Sequence, residues 1–90
     1  MANRSKYWCI TLNNWTQEEY DNLMGLPSRG KTTYLIIGKE VGVSGTRHLQ
    51  IYAELSQRIR LAGAKSMFGD RVHLERRRGT AAEAADYVKQ

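Results

Sequence analysis

The sequence predicts an α+β domain. Its expected core is an antiparallel β-sheet of ferredoxin-like or RNA-recognition-like βαββαβ topology, with helices on one face and a further helix at the C-terminus. Three observations lead there. Several stretches alternate polar and apolar residues or are rich in β-branched and aromatic residues, as half-buried strands are. Two capping boxes, Thr16 with Glu19 and Thr80 with Glu83, mark helix starts. The resulting order is β-α-β-β-α-β-α, and its first six elements match the split βαβ motif.

Residues 1–6 are polar and basic and are expected to form a loose arm, leaving 7–90 as the domain. Tyr7 to Asn13 reads as a strand, with Trp8, Ile10 and Leu12 towards a core and Tyr7, Cys9, Thr11 and Asn13 on the opposite face. The Asn13-Asn14 pair ends it. A helix is expected over 17–25, with an apolar stripe of Tyr20, Leu23 and Met24, stopped by Gly25 and Pro27. Thr32 to Val41 reads as the second strand. The turn Gly42-Val43-Ser44-Gly45 then folds a third strand, Thr46 to Glu54, back on it as an antiparallel hairpin. In the third strand Leu49, Ile51 and Ala53 share one face, and His48, Gln50 and Tyr52 share the other. Gln57 to Phe68 is predicted helical, although its apolar period is irregular and Gly63 weakens it. Arg71 to Arg76 alternates again, with Val72 and Leu74 inward, and an alanine-rich helix carrying Tyr87 closes the chain.

Ninety residues with 41% hydrophobic content suit one domain with a single modest core. The charge of +5, from 14 Lys and Arg against 9 Asp and Glu, suits a polyanionic partner. With Cys9 as its one cysteine, the chain has neither an internal disulfide nor a cysteine pair for zinc, and it reads as intracellular. There is no apolar run of membrane-spanning length and no apolar signal segment.

The face of the sheet away from the helices carries the chemistry. His48 and Gln50 stand about 7 Å apart along the strand, offering a ring nitrogen and an amide oxygen. They form either a polar surface open to water or part of a metal site. Glu40 has the right parity to join them across the hairpin, and is either a third ligand or an exposed carboxylate beside a turn. Glu54 shares the face but lies roughly 20 Å from His48. Gly38 leaves room on this face for a phosphate or a side chain. A histidine, a carboxylate and an amide oxygen favour Mg²⁺ or Mn²⁺ over zinc, and such an ion on a basic surface suits polarisation of a phosphodiester. Tyr87 is either a nucleophile for such a site or a ring packed against the core beside Ala81, Ala84, Ala85 and Val88. Arg76-Arg77-Arg78 is either a phosphate contact or a solvated basic turn.

Several stretches fit one family in the same order. Cys9 to Asn14 looks like its first motif, with cysteine where an aromatic is usual. Gly45 to Gln50 looks like its second, with glutamine in place of a second histidine. Tyr87-Val88-Lys89 looks like its third, and Ile36 to Glu40 like the segment supplying its acidic ligand. The chain thus resembles the N-terminal HUH endonuclease domain of replication initiator (Rep) proteins from circovirus-like single-stranded DNA viruses. The resemblance implies a metal-dependent, site-specific single-stranded DNA endonuclease that nicks and joins strands, initiating rolling-circle replication. Glu40, His48 and Gln50 would hold Mn²⁺ or Mg²⁺, and Tyr87 would form a covalent 5′-phosphotyrosine. Arg4, Lys6, Tyr7, Asn13, Asn14 and Lys89 would contact DNA at an origin stem-loop. It further implies a helicase domain in the full-length protein, a site of action in the host nucleus, and no membrane partner. Oligomerisation of the full-length protein is left open. The family often has lysine three residues after the tyrosine; here Gln90 stands there, and Lys89 points about 100° away from it on a helix. The alternative is a non-catalytic α+β nucleic-acid-binding module in which His48, Gln50 and Tyr87 pack or stack.

Overall fold

Trp8, Ile10 and Leu12 are all buried, and the sheet extends to both sides of the strand that carries them. The computed structural model describes residues 4–77 and 80–89, without the side chains of Ala81, Tyr87 and Lys89. Its elements are β1 (Arg4–Asn13), α1 (Gln17–Met24), β2 (Thr32–Val41), β3 (Arg47–Arg60), α2 (Leu61–Phe68), β4 (His73–Arg76) and α3 (Ala81–Lys89). The strands form one antiparallel sheet in the order β2-β3-β1-β4. This is the expected ferredoxin-like arrangement, with the two central strands most deeply buried.

One face of the sheet builds the main core. Trp8, Ile10 and Leu12 meet Leu49, Ile51, Ala53 and Leu55 of β3, and Leu23, Ala64 and Phe68 of α1 and α2 close over them. Each large side chain buried in this way contributes roughly 1.5–3 kcal/mol. The opposite face is partly roofed by α3, whose Ala84 and Val88 pack with Tyr52, Cys9 and Ile36 in a second, smaller cluster. The first two helices therefore share a face, as expected, and the C-terminal helix crosses the other.

Two boundaries differ from the sequence expectation. Arg4 and Lys6 belong to β1 rather than to a loose arm: Arg4 pairs with Arg60 and Ser5 with Ile59, with an irregularity before Tyr7. Residues 1–3 of the expected arm lie outside the described residues. Ser5 shapes the irregularity, its hydroxyl accepting from the Tyr7 amide at 3.0 Å and its carbonyl accepting from the Trp8 indole at 3.0 Å. The same pairing draws Gln57 to Arg60 into β3, so α2 begins at Leu61 and not at Gln57. Arg60, its N-cap, makes no side-chain capping bond, whereas the ladder satisfies backbone groups that a helix start would leave open.

Both capping boxes form. The Thr16 hydroxyl accepts from the Glu19 amide at 3.1 Å, and the Glu19 carboxylate accepts from the Thr16 amide at 2.9 Å. Thr80 and Glu83 repeat this at 3.2 and 3.0 Å. Glu19 also receives two bonds from Arg71, at 2.9 and 2.6 Å, while Arg71 donates to the carbonyls of Asn13 and Asn14 at 3.3 and 3.1 Å. This clamp holds the β1–α1 turn, in which Asn14 adopts a left-handed backbone with φ of 52°.

The Arg71 hydrogen bonds, with smaller help from Thr16, hold the Glu19 carboxyl down to about 2 from an ordinary 4.5. A carboxyl whose folded pKa is depressed adds stability above its unfolded pKa, and that stability fades as pH falls towards the folded value. Glu19→Gln should therefore be less stable than the wild type at pH 6, with the gap closing between about pH 4.5 and 2. Urea titrations followed by circular dichroism across that range check it; a gap independent of pH would rule out the clamp as its source.

Candidate metal centre

The antiparallel register sorts the open face into cross-strand rows. Glu40, His48 and Asn13 form the first, from β2, β3 and β1; Gly38, Gln50 and Thr11 form the next, extended to His73 of β4. Ile36, Tyr52, Cys9 and Glu75 form the third, and Tyr34, Glu54 and Tyr7 stand beyond it. Side chains on directly opposed residues are close enough to interact.

In the first row the His48 Nε2 atom lies 3.3 Å from Glu40 Oε1, with the two side chains 18% and 30% exposed. Neighbouring ligands in an octahedral shell with bonds of about 2.1 Å stand about 3.0 Å apart, so this pair has the separation that one small cation needs. In the next row the Thr11 hydroxyl donates to Gln50 Oε1 at 3.1 Å. That bond fixes the amide and leaves its oxygen a second lone pair. Among the described residues no three His, Cys, Asp or Glu side chains cluster. A cation held at this edge would draw on one carboxylate, one imidazole and one amide oxygen, with other positions left for water or substrate oxygens. That donor set fits Mg²⁺ or Mn²⁺.

Gly38 does not leave a vacancy for a phosphate. A Cβ there would lie 2.5 Å from the carbonyl oxygen of Val88 and 3.2 Å from its Cγ1. The gap is filled by the backbone of α3, which the sequence pattern did not reveal because that contact joins two distant segments. The Tyr87 and Lys89 side chains, expected as nucleophile and DNA contact, lie outside the described residues.

The expected DNA contacts divide into two groups. Asn13 stands opposite His48, and the Asn14 amide donates to the Arg47 carbonyl at 2.6 Å. Arg4 and Lys6 lie at the other end of β1, with Arg4 about 30 Å along an extended strand from Asn13. Tyr7, also towards that end, is 38% exposed.

Two clusters were missed by the sequence reading. Tyr52 is buried under α3; its hydroxyl donates to Glu54 at 2.7 Å and accepts from Arg77 at 3.0 Å. The Arg77 guanidinium also lies 4.1 Å from the Tyr7 ring centre. Burial first, then the Glu54 hydrogen bond, pushes the Tyr52 phenol up to about 12. Arg77, expected in either a phosphate contact or a solvated turn, is thus a structural partner. The shared parity of Tyr52 and Glu54 was the available signal. On the other face, Arg47 lies 4.2 Å from the Trp15 ring, and Lys39 lies 4.6 Å from the Tyr20 ring and 5.5 Å from that of Trp15.

Fold and face together define a basic α+β domain that sets a carboxylate, an imidazole and an amide side by side at one end of its sheet. Among the described residues no helix is long and apolar enough to cross a membrane. The family described as "Putative viral replication protein" matches residues 5–90, and the chain belongs to it. It is 44% identical over 87 residues to the replication-associated protein of pigeon circovirus, covering 96% of this chain and 26% of that protein. It is 38% identical over 88 residues to the master replication protein of milk vetch dwarf virus (isolate N), covering 98% and 28%. With Para-Rep C2 of the subterranean clover stunt C2 alphasatellite it shares 35% over 83 residues, covering 92% and 30%. The chain therefore spans less than a third of the length of these curated relatives.

The Tyr52 network yields a stability test. Tyr52→Phe keeps the ring and removes the atom that Glu54 and Arg77 share, so it should cost roughly 1–3 kcal/mol in urea unfolding. A double-mutant cycle with Glu54→Gln should show coupling; strictly additive losses would mean the two groups stabilise the fold independently.

Proposed function

We propose that this chain is the nicking and joining module of a replication initiator, an HUH endonuclease that opens a viral single-stranded DNA genome for rolling-circle replication. The observation that carries the reading is the meeting of Glu40 and His48 at 3.3 Å, beside Gln50, on the face that α3 crosses. Relatives named as replication-associated and master replication proteins support it.

Glu40, His48 and Gln50 hold Mn²⁺ or Mg²⁺ in this reading. The bound ion supplies Lewis-acid polarisation of the scissile phosphate. Tyr87 is the nucleophile: its phenol oxygen forms a bond to phosphorus as the bond from phosphorus to the 3′-oxygen breaks. The phenol proton is given up and the 3′-oxygen leaves as a hydroxyl, so the protein keeps the 5′-phosphate of the downstream fragment. One phosphodiester is exchanged for another, and attack by a free 3′-hydroxyl rejoins the strand.

The other four tyrosines fit the role poorly. Tyr20 packs against the core on the opposite face. Tyr52 is buried with its hydroxyl committed to Glu54 and Arg77. Tyr7 and Tyr34 stand six positions along their strands from Asn13 and Glu40, about 20 Å away. Tyr87 belongs to α3, and its neighbour Val88 rests on Gly38 in the Gln50 row.

Asn13 and Asn14 contact the strand near the cation, and Arg4, Lys6, Tyr7 and Lys89 follow its backbone. Its source is an origin stem-loop, acted on in the host nucleus, and the full-length protein adds a helicase domain.

Two measurements test the reading. Gln50→Ala should weaken Mn²⁺ binding, followed by electron paramagnetic resonance, by roughly tenfold or more without altering the fold. Affinity equal to the wild type would remove Gln50 from the ligand set. Tyr87→Phe should bind single-stranded oligonucleotides carrying circovirus-like origin nonamers yet form neither nick nor covalent adduct on a denaturing gel. An adduct from that variant would favour another nucleophile, and a wild type that binds without cutting would favour a plain nucleic-acid-binding module.

A further inference from the structure

Gly38 lies inside β2, opposite Gln50, and its backbone is not in the left-handed region. Alanine would satisfy that backbone, and glycine in a strand interior is normally destabilising. What excludes a side chain is α3. The added Cβ would stand 2.5 Å from the Val88 carbonyl oxygen, where ordinary contact begins at 3.4 Å. Gly25 is also crowded, but by the guanidinium end of Arg29, which can swing aside. At Gly38 the obstacle is helix backbone, so relief requires moving the helix.

We infer that Gly38 is a positioning residue: by presenting bare backbone to Val88, it sets how closely the Tyr87–Val88 turn of α3 approaches the Glu40, His48 and Gln50 rows. The inference rests on the reading of Tyr87 as nucleophile. A Cβ would lift that turn outward by on the order of 1 Å, and a displacement of that size near reacting groups can cost about 100-fold in rate. Among the described side chains, few on the helix resist such a shift beyond the capping box at its start. Ala84 and Val88 are its buried residues in the small cluster with Tyr52, Cys9 and Ile36, separate from the main core. The glycine lies in the row adjoining Glu40–His48 and two residues from Glu40, yet brings no side chain to the site.

The test compares Gly38→Ala with Gly42→Ala, whose Cβ would meet the Thr46 carbonyl at an unstrained 3.6 Å. In Gly38→Ala, Mn²⁺ affinity and oligonucleotide affinity should stay within about threefold of the wild type. Single-turnover adduct formation should fall about 100-fold, with KM unchanged. Amide hydrogen exchange should accelerate across residues 84–88 while the β1 and β3 amides keep their protection. Gly42→Ala should match the wild type in all of these. An unchanged adduct rate, unchanged protection of α3, or a rate loss matched by equal losses of Mn²⁺ or DNA binding overturns the positioning role. A wild type that forms no tyrosine adduct overturns the nucleophile reading and this role with it. Adduct formation in both the wild type and Gly38→Ala at equal rates overturns the positioning role alone.

Discussion

The register between β2 and β3 decides which side chains can meet. Glu40 stands opposite His48, and Gly38 opposite Gln50. A slip of one residue would send Glu40 to the helical core and leave Lys39 facing His48, because side chains alternate strictly across a strand. The turn guards against that slip. The Gly42 amide bonds the Thr46 carbonyl at 2.8 Å, the Gly45 amide bonds Gly42 at 2.9 Å, and Gly45 takes a φ of 88° that a side chain would resist. Leu35 and Ile37 on the inner face reinforce it by packing against the main core. The polar row is therefore held in place by apolar residues on the reverse side of the same strands.

The two faces differ in how firmly they are held. Among the described residues, the sheet, its first two helices and their flanking turns share twelve buried residues of one cluster, whereas α3 is attached through a cluster with three. Local opening free energies follow the apolar contacts that must be broken, so α3 should open well before the sheet does. A capping box at Thr80 secures its first turn, and the seat on Gly38 receives its last. Among the described side chains only Ala84 and Val88 of the helix are buried, and specific contacts hold it at both ends.

The parts of the fold written locally were legible in the sequence. Trp8, Ile10 and Leu12 alternate with Cys9 and Thr11, and Thr16 and Glu19 announce a helix without reference to the rest of the chain. The parts set by partners across the sheet were not. Gln57 to Arg60 carries no pattern that chooses strand over helix; its pairing with Arg4 and Ser5 chooses. Arg77 reads as one of three similar arginines until Tyr52 and Glu54 are placed beside it. The grouping of Glu40 with His48 was accessible because parity and a short turn suffice to derive it. The closure of Gly38 by Val88 was not, since fifty residues separate them.

Charge balance gives the amide at Gln50 a physical sense within the proposed reading. A carboxylate ligand brings one negative charge, while an imidazole and an amide that bind a cation through a lone pair bring none. With a divalent cation the edge would carry a net charge of about +1, which one phosphodiester neutralises. A second carboxylate at position 50 would cancel that excess and weaken the attraction for DNA. A second imidazole would leave the charge alone but offer a softer donor. Thr11 completes the arrangement by donating to the amide oxygen, a bond that aims Gln50 without altering the charge. The +5 of the whole chain then adds a general attraction for polyanions, to which, in the proposed reading, the edge would add a place where one phosphate is preferred.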